Sequence, residues 1–160
     1  MGDLAATLQA HARVGLDTSV FIYHIQGSSR FAAAAGVALE ELVRGTFDGV
    51  TSVLTLMEVA VKPLQLGRPE VADEYDLLLA TYPHLSVVDI DREVARRAAE
   101  LRATYRLRPA DALQVGACLE HGATAFLTND RGVRRIGELQ ALLLEDFVDP
   151  SLDADSGAQE

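Results

Sequence analysis

With Cys118 its only cysteine, the 160-residue sequence can form no disulfide within the chain. The surrounding VGACLEHG has a helical pattern, so Cys118 is expected as a small buried residue rather than a nucleophile. No uncharged apolar run approaches the roughly 18 residues that would suggest a membrane span. The opening MGDLAATLQAHAR lacks the pattern of a signal peptide, which makes the cytoplasm the expected location. His11, His24, His84 and His121 are scattered without metal-site spacing, which disfavours zinc. Repeats, low-complexity blocks and internal linkers are also lacking. The expectation is one domain over 1–148, long enough to bury its own core, followed by an acidic tail over 149–160 that serves as a solvated spacer.

A basic excess is missing too: Lys and Arg number 14 against 24 Asp and Glu, for a net charge of −10. Nucleic-acid binders usually carry a basic footprint, so this balance first argues against such a partner. The distribution weakens that objection. Asp149, Asp153, Asp155 and Glu160 sit in the tail DPSLDADSGAQE, and four further acids stand at the junctions described next.

Apolar runs and punctuation give the order of elements. RVGLD reads as a buried strand feeding a helix that begins TSVFIYHI, and RFAAAAGVALEELVRG as a helix closed by Gly45. GVTSV is a second strand, after which a helix is expected to open at Thr55 and to stop or bend at Lys62-Pro63. Pro69 starts the next helix, LSVVDI is a strand, and Asp91 caps a helix with Val94, Ala98, Leu101 and Tyr105 on one face. Pro109 opens PADALQVGACLEHG. The strand TAFLT, a short helix from about Arg131 and the strand ALLLE finish the body. Alternating strands and helices imply parallel pairing with right-handed crossovers, hence an α/β three-layer sandwich around a mainly parallel sheet of four to five strands.

Asp17, Glu58, Asp111 and Asp130 mark places where strand-like runs give way to helices, or the first turns beyond. In an open parallel sheet such positions converge on the crevice at the carboxyl ends of the strands. Each acid has an ordinary alternative. Asp17 could cap a helix, Thr55-Leu-Met-Glu58 matches a capping box, Asp111 could favour a helix N-terminus, and Asp130 in TNDRG could make an Asx-turn. Together they are too uniformly acidic for independent caps, since neighbouring positions 52 and 128 are Ser and Thr. Carboxylates gathered in one crevice repel, and a divalent cation offsets that cost. The pattern implies a metal-dependent enzyme acting on phosphate esters.

LDTSVFIY, TSVLTLMEVAVKP and RPADALQVGACLEHGATAFLTND, in this order and spacing, resemble the motifs of PIN-domain nucleases, especially the VapC-type ribonuclease toxins of toxin–antitoxin modules. The resemblance spans nearly the whole body. It maps the family's four acids onto Asp17, Glu58, Asp111 and Asp130, and the Thr of its Thr-x-Asp motif onto Thr128. A longer lead-in before the first strand and Gly116, where Ala is more usual, depart from the pattern. The implied activity is hydrolysis of RNA phosphodiester bonds with Mg²⁺ or Mn²⁺, held mainly by Asp17 and Asp111 with Asp130 and Glu58 completing the shell. Glu58 is then placed to orient or deprotonate water, and Thr18 and Thr128 to orient the carboxylates. The resemblance also implies a VapB-like protein antitoxin and a homodimer. A catalytically silent RNA-binding or scaffold module, or a housekeeping nuclease without an antitoxin, remains the alternative.

RNA requires cations beside the acids. Arg106 and Arg108 precede Asp111, and Arg131, Arg134 and Arg135 follow Asp130, so both groups are candidates for phosphate contact, with Lys62 and Arg68 weaker ones. A phosphatase with a D-x-D motif would need an acid at Ser19, and a phospho-accepting receiver would need a Lys near a late strand; neither is present. Apolar positions in FAAAAGVALEELV and between Leu64 and Tyr82, with Leu77, Leu78 and Leu79 in succession, exceed what one sheet face should consume and favour a homodimer on their own.

Overall fold

A computed structural model describes residues 2–151, so the expected tail over 149–160 lies outside the described residues except for its first three positions. Five parallel strands form one sheet: β1 (Arg13–Leu16), β2 (Asp48–Ser52), β3 (Leu85–Val88), β4 (Ala125–Thr128) and β5 (Gln140–Leu143), in the order β3-β2-β1-β4-β5. Seven helices accompany them among the described residues: α1 (Leu4–Gln9), α2 (Thr18–Gln26), α3 (Ala32–Arg44), α4 (Val53–Gln65), α5 (Pro69–Thr81), α6 (Arg92–Tyr105) and α7 (Pro109–Glu120). The expected α/β sandwich is present.

Strand alternation sends side chains to both faces of the sheet. Val14, Leu16, Ala125, Leu127 and Leu142 join the core made with α1, α2 and α3. Val50 and Phe126 face the opposite core, built on Ala98 and Leu101 of α6 and Val115 and Cys118 of α7. Two glycines permit this second core to close. A Cβ on Gly15 would come within 2.7 Å of both Cys118 Sγ and a Phe126 ring carbon, so β1 must be bare where α7 crosses it. At Gly116 a Cβ would lie 3.2 Å from the Ala98 backbone nitrogen, so the departure from Ala accompanies a close approach of α6 and α7. Cys118 is fully buried, donates to Val50 O at 3.5 Å, and has its thiol pKa pushed up by burial.

Several boundaries differ from expectation for local reasons. The lead-in holds α1, capped by Asp3 and anchored by buried Leu4 and Leu8 at helical spacing. Helix α4 begins at Val53 rather than Thr55, because Ser52 stays extended and its hydroxyl accepts from Leu54 N at 3.2 Å. Thr55 and Glu58 therefore form no capping box. Pro63 does not stop α4 at once: it lies buried inside the helix, two residues before its end at Gln65, and the chain turns away at Gly67 with a left-handed φ of 68°. The short helix expected from about Arg131 is present as one 3-10 turn, Arg131–Arg135.

Candidate active site

In the strand order β3-β2-β1-β4-β5, successive connections run outward in opposite directions from β1 and β4. The switch point, and with it the crevice, lies between the carboxyl ends of these two strands. Asp17 follows β1 immediately, and its backbone N–H donates to Leu127 O of β4 at 3.0 Å. Thr128 closes β4 and Asp130 follows it. Glu58 comes from the second turn of α4, the helix after β2, and Asp111 from the first turn of α7.

Asp17 is the most constrained of the four acids. One carboxyl oxygen accepts from Thr18 N at 2.9 Å and the other from Thr128 Oγ1 at 2.6 Å. Burial nevertheless dominates, and the charges of Glu58 and Asp111 add to it, so the Asp17 pKa is raised from 3.8 to about 6. Glu58 is raised as well, by burial and then by Asp111, although Thr18 Oγ1 donates to its Oε1 at 3.3 Å. Asp17, Glu58 and Asp111 thus feel one another's charge.

Asp111 and Asp130 are turned toward local partners. Asp111 Oδ2 accepts from Arg108 Nε at 3.2 Å, while Asp130 Oδ1 accepts from Gly132 N at 2.8 Å and Asp130 N donates to Thr128 Oγ1 at 3.1 Å. Among the described residues, no group of three or more His, Cys, Asp or Glu is arranged to hold a metal ion. The donor chemistry still fits a hard cation, since every acid offers carboxylate oxygen and, among the described residues, no cation besides Arg108 pairs with any of the four.

Thr18 and Thr128 are both buried hydroxyls in contact with the acids. The expected arginines divide differently. Arg131 makes a bidentate pair with Glu145 at 2.8 and 2.9 Å, Arg134 pairs with Asp146 at 2.7 Å, and Arg135 donates to Gly132 O. Arg108 holds Asp111, and Arg106 stands exposed at the left-handed end of α6. Lys62 and Arg68 line a mostly apolar groove of about 220 Å³ between α2, α4 and α5, walled by Ile22, Ile25, Val59 and Tyr75 and reaching Glu58.

Sequence reasoning missed a buried polar cluster behind the acids: Thr51 and Ser52 of β2, Thr55 of α4 and Gln114 of α7. Gln114 Nε2 donates to Thr51 at 3.0 Å and Thr55 at 2.9 Å, and Ser52 Oγ donates to Gln114 Oε1. Thr51 and Thr55 share a 2.8 Å hydrogen bond, and Thr55 another of 2.9 Å with Thr18. A signal was available, because Gln114 stands three residues beyond Asp111 on the same helical face, and Thr51-Ser52 follows Gly49-Val50 at the carboxyl end of β2.

Fold and site together define an α/β sandwich with an acidic crevice at the topological switch point. The PIN domain family model matches residues 14–139, and the chain belongs to this family. Solved structures of similar fold include VapBC2 from Rickettsia felis bound to a DNA fragment from its promoter, at a TM-score of 0.65 and 19% identity, covering 82% of this chain and 98% of that one. DNA-bound VapBC from Salmonella typhimurium is similar at 0.62 and 20%, with coverage of 82% and 98%. VapBC-1 from nontypeable Haemophilus influenzae matches at 0.62 and 16%, with 83% and 98% covered. No curated protein sequence matches significantly.

Proposed function

We propose that this protein is a metal-dependent endoribonuclease of the PIN type and the toxin of a VapBC-like toxin–antitoxin pair. The observation that carries the reading is the electrostatic coupling of Asp17, Glu58 and Asp111 at the switch-point crevice, where burial and like charge have raised the Asp17 pKa to about 6. Like charges held together at this cost are what a divalent cation would relieve. Asp17, Asp111, Asp130 and Glu58 would hold Mg²⁺ or Mn²⁺, which when bound would polarise the phosphodiester and activate water. Thr128 and Thr18 orient Asp17 and Glu58 for that duty. Arg106 and Arg108 would be candidate phosphate contacts, and Arg131 and Arg134 would join them on exchanging Glu145 and Asp146 for phosphate.

Partners follow from two apolar surfaces. An antitoxin segment laying apolar residues into the groove beside Glu58, with a basic residue aimed at the acids, would block substrate and cation together. A homodimer would cover the exposed stripe Met57, Val61 and Leu64 on α4 and Leu77 on α5. Cleavage of end-labelled single-stranded RNA with Mn²⁺ or Mg²⁺, against EDTA controls, tests the enzyme. Growth and translation left intact on induced expression without an antitoxin would speak for the housekeeping or silent alternative.

A further inference from the structure

With Glu58 ionised and each contact given one hydrogen, the partners in the buried cluster behind the acids imply a direction for every bond. The amide oxygen of Gln114 can only accept and takes the Ser52 hydroxyl hydrogen, while Gln114 Nε2 faces Leu16 O at 3.5 Å, a carbonyl that also only accepts. The two Nε2 hydrogens then go to Thr51 Oγ1 and Thr55 Oγ1. Thr18 spends its one hydroxyl hydrogen on Glu58 Oε1, so the bond between Thr18 and Thr55 must be donated by Thr55. Thr55 in turn accepts from Thr51. The result is a one-way chain from Thr51 through Thr55 and Thr18 to Glu58. An inverted amide would set its oxygen against the Thr51 and Thr55 hydroxyls, either of which could then donate to it, and the direction of the Thr55–Thr18 bond would no longer be fixed.

We propose that Gln114 and Thr55 are positioning residues for hydrolysis: by fixing the direction of this hydroxyl chain they aim the Thr18 hydrogen at Glu58 and hold that carboxylate in place. The proposal rests on the nuclease reading above. Thr18, Thr51, Ser52, Thr55 and Gln114 are all buried, so water does not compete for these bonds. Three helices and two strands meet through the cluster, and so the Glu58 side chain is referenced to the frame that carries Asp17 and Asp111 rather than to α4 alone.

Two measurements test this. The first compares Thr55→Val, which removes the hydroxyl at nearly constant volume, with Thr55→Ser, which keeps it, on labelled RNA with Mn²⁺. In folded Thr55→Val, kcat should fall about 10- to 100-fold with KM changed by less than about threefold, and Thr55→Ser should recover most of the loss. A purely structural role would lower the melting temperature and leave kcat unmoved, and that result overturns the proposal. The second uses the wild-type protein alone, so it decides the matter even where Thr55→Val does not fold. The Thr55 hydroxyl hydrogen should give an NMR signal in H₂O with cross-peaks that place it against Thr18; a hydrogen found against Thr51 or Gln114 would overturn the directed chain. Wild-type protein that cleaves no RNA with either cation would instead overturn the nuclease reading, leaving the NMR result to judge the chain by itself.

Discussion

Thr128 joins two acids through one oxygen: its hydroxyl donates to Asp17 Oδ2 at 2.6 Å and accepts from Asp130 N at 3.1 Å. The end of β4 therefore fixes the Asp17 carboxylate and the backbone that carries Asp130 in a single contact. Thr128→Val keeps the shape and removes the hydroxyl. The expected outcome is a loss of about 10- to 100-fold in metal-dependent cleavage, measured as kcat/KM on labelled RNA, with the fold retained by circular dichroism.

Asp17→Asn and Asp111→Asn each remove an anionic ligand at nearly constant volume. Either should reduce cleavage by about a hundredfold or more, since loss of a direct ligand exceeds the loss expected for its supporting partner. Full metal-dependent activity in either variant would sink the assignment of these acids.

Asp17 also makes stability depend on pH. Its folded pKa of about 6 lies above the ordinary 3.8, so the folded chain binds this proton more tightly than the unfolded chain. The resulting stabilisation is fully present below about pH 3.8 and is lost as pH rises through about 6. The shift corresponds to about 3 kcal/mol, which solvent screening at this half-buried carboxylate reduces to on the order of 1–2 kcal/mol. Asp17→Asn should therefore raise the melting temperature of the metal-free protein at pH 7.5 and lose that advantage near pH 4. A melt series across this range checks the sign.

Arg108 is largely exposed although it pairs with Asp111, so removing it should change stability by no more than about 0.5 kcal/mol. Its effect should fall on substrate instead. Arg108→Ala is expected to raise KM for RNA and lower the dependence of binding on salt by roughly one counterion, read from KM at a series of KCl concentrations.

The three successive leucines of α5 separate by helical period: Leu79 is 1% exposed, Leu78 40% and Leu77 65%. The monomer core absorbs only one of them. Light scattering at micromolar concentration should give twice the 17.2 kDa chain mass, and Leu64→Glu should shift it toward the monomer. A monomer mass unchanged on concentration would rule the dimer out.

Element type was legible wherever a local cause dominated. Asp91 before a helical apolar face, Pro69 and Pro109 at first turns, and short apolar runs between turn residues are complete signals within a few residues, and α6, α5, α7 and the strands follow them. Boundaries were less legible where two local signals competed. Ser52 and Thr55 can both cap, and what favours Ser52 is its extended backbone at the end of a paired strand, together with the contact its hydroxyl makes with Gln114.

For the site, the sequence by itself determined that Asp17, Asp111 and Asp130 stand at strand ends and helix starts, because hydrophobic period and capping are short-range properties, while Glu58 fell one turn deeper in α4 than expected. Parallel alternation then leaves those positions on one edge of the sheet. Only the tertiary structure decided what each acid touches. The strand order brings β4 beside β1, placing Thr128 on Asp17 across 111 residues, and α7 brings Gln114 against Thr51 and Thr55. Hydrogen-bond direction, burial and mutual repulsion depend on distances of a few ångströms between segments remote in the chain, and no local pattern encodes those distances.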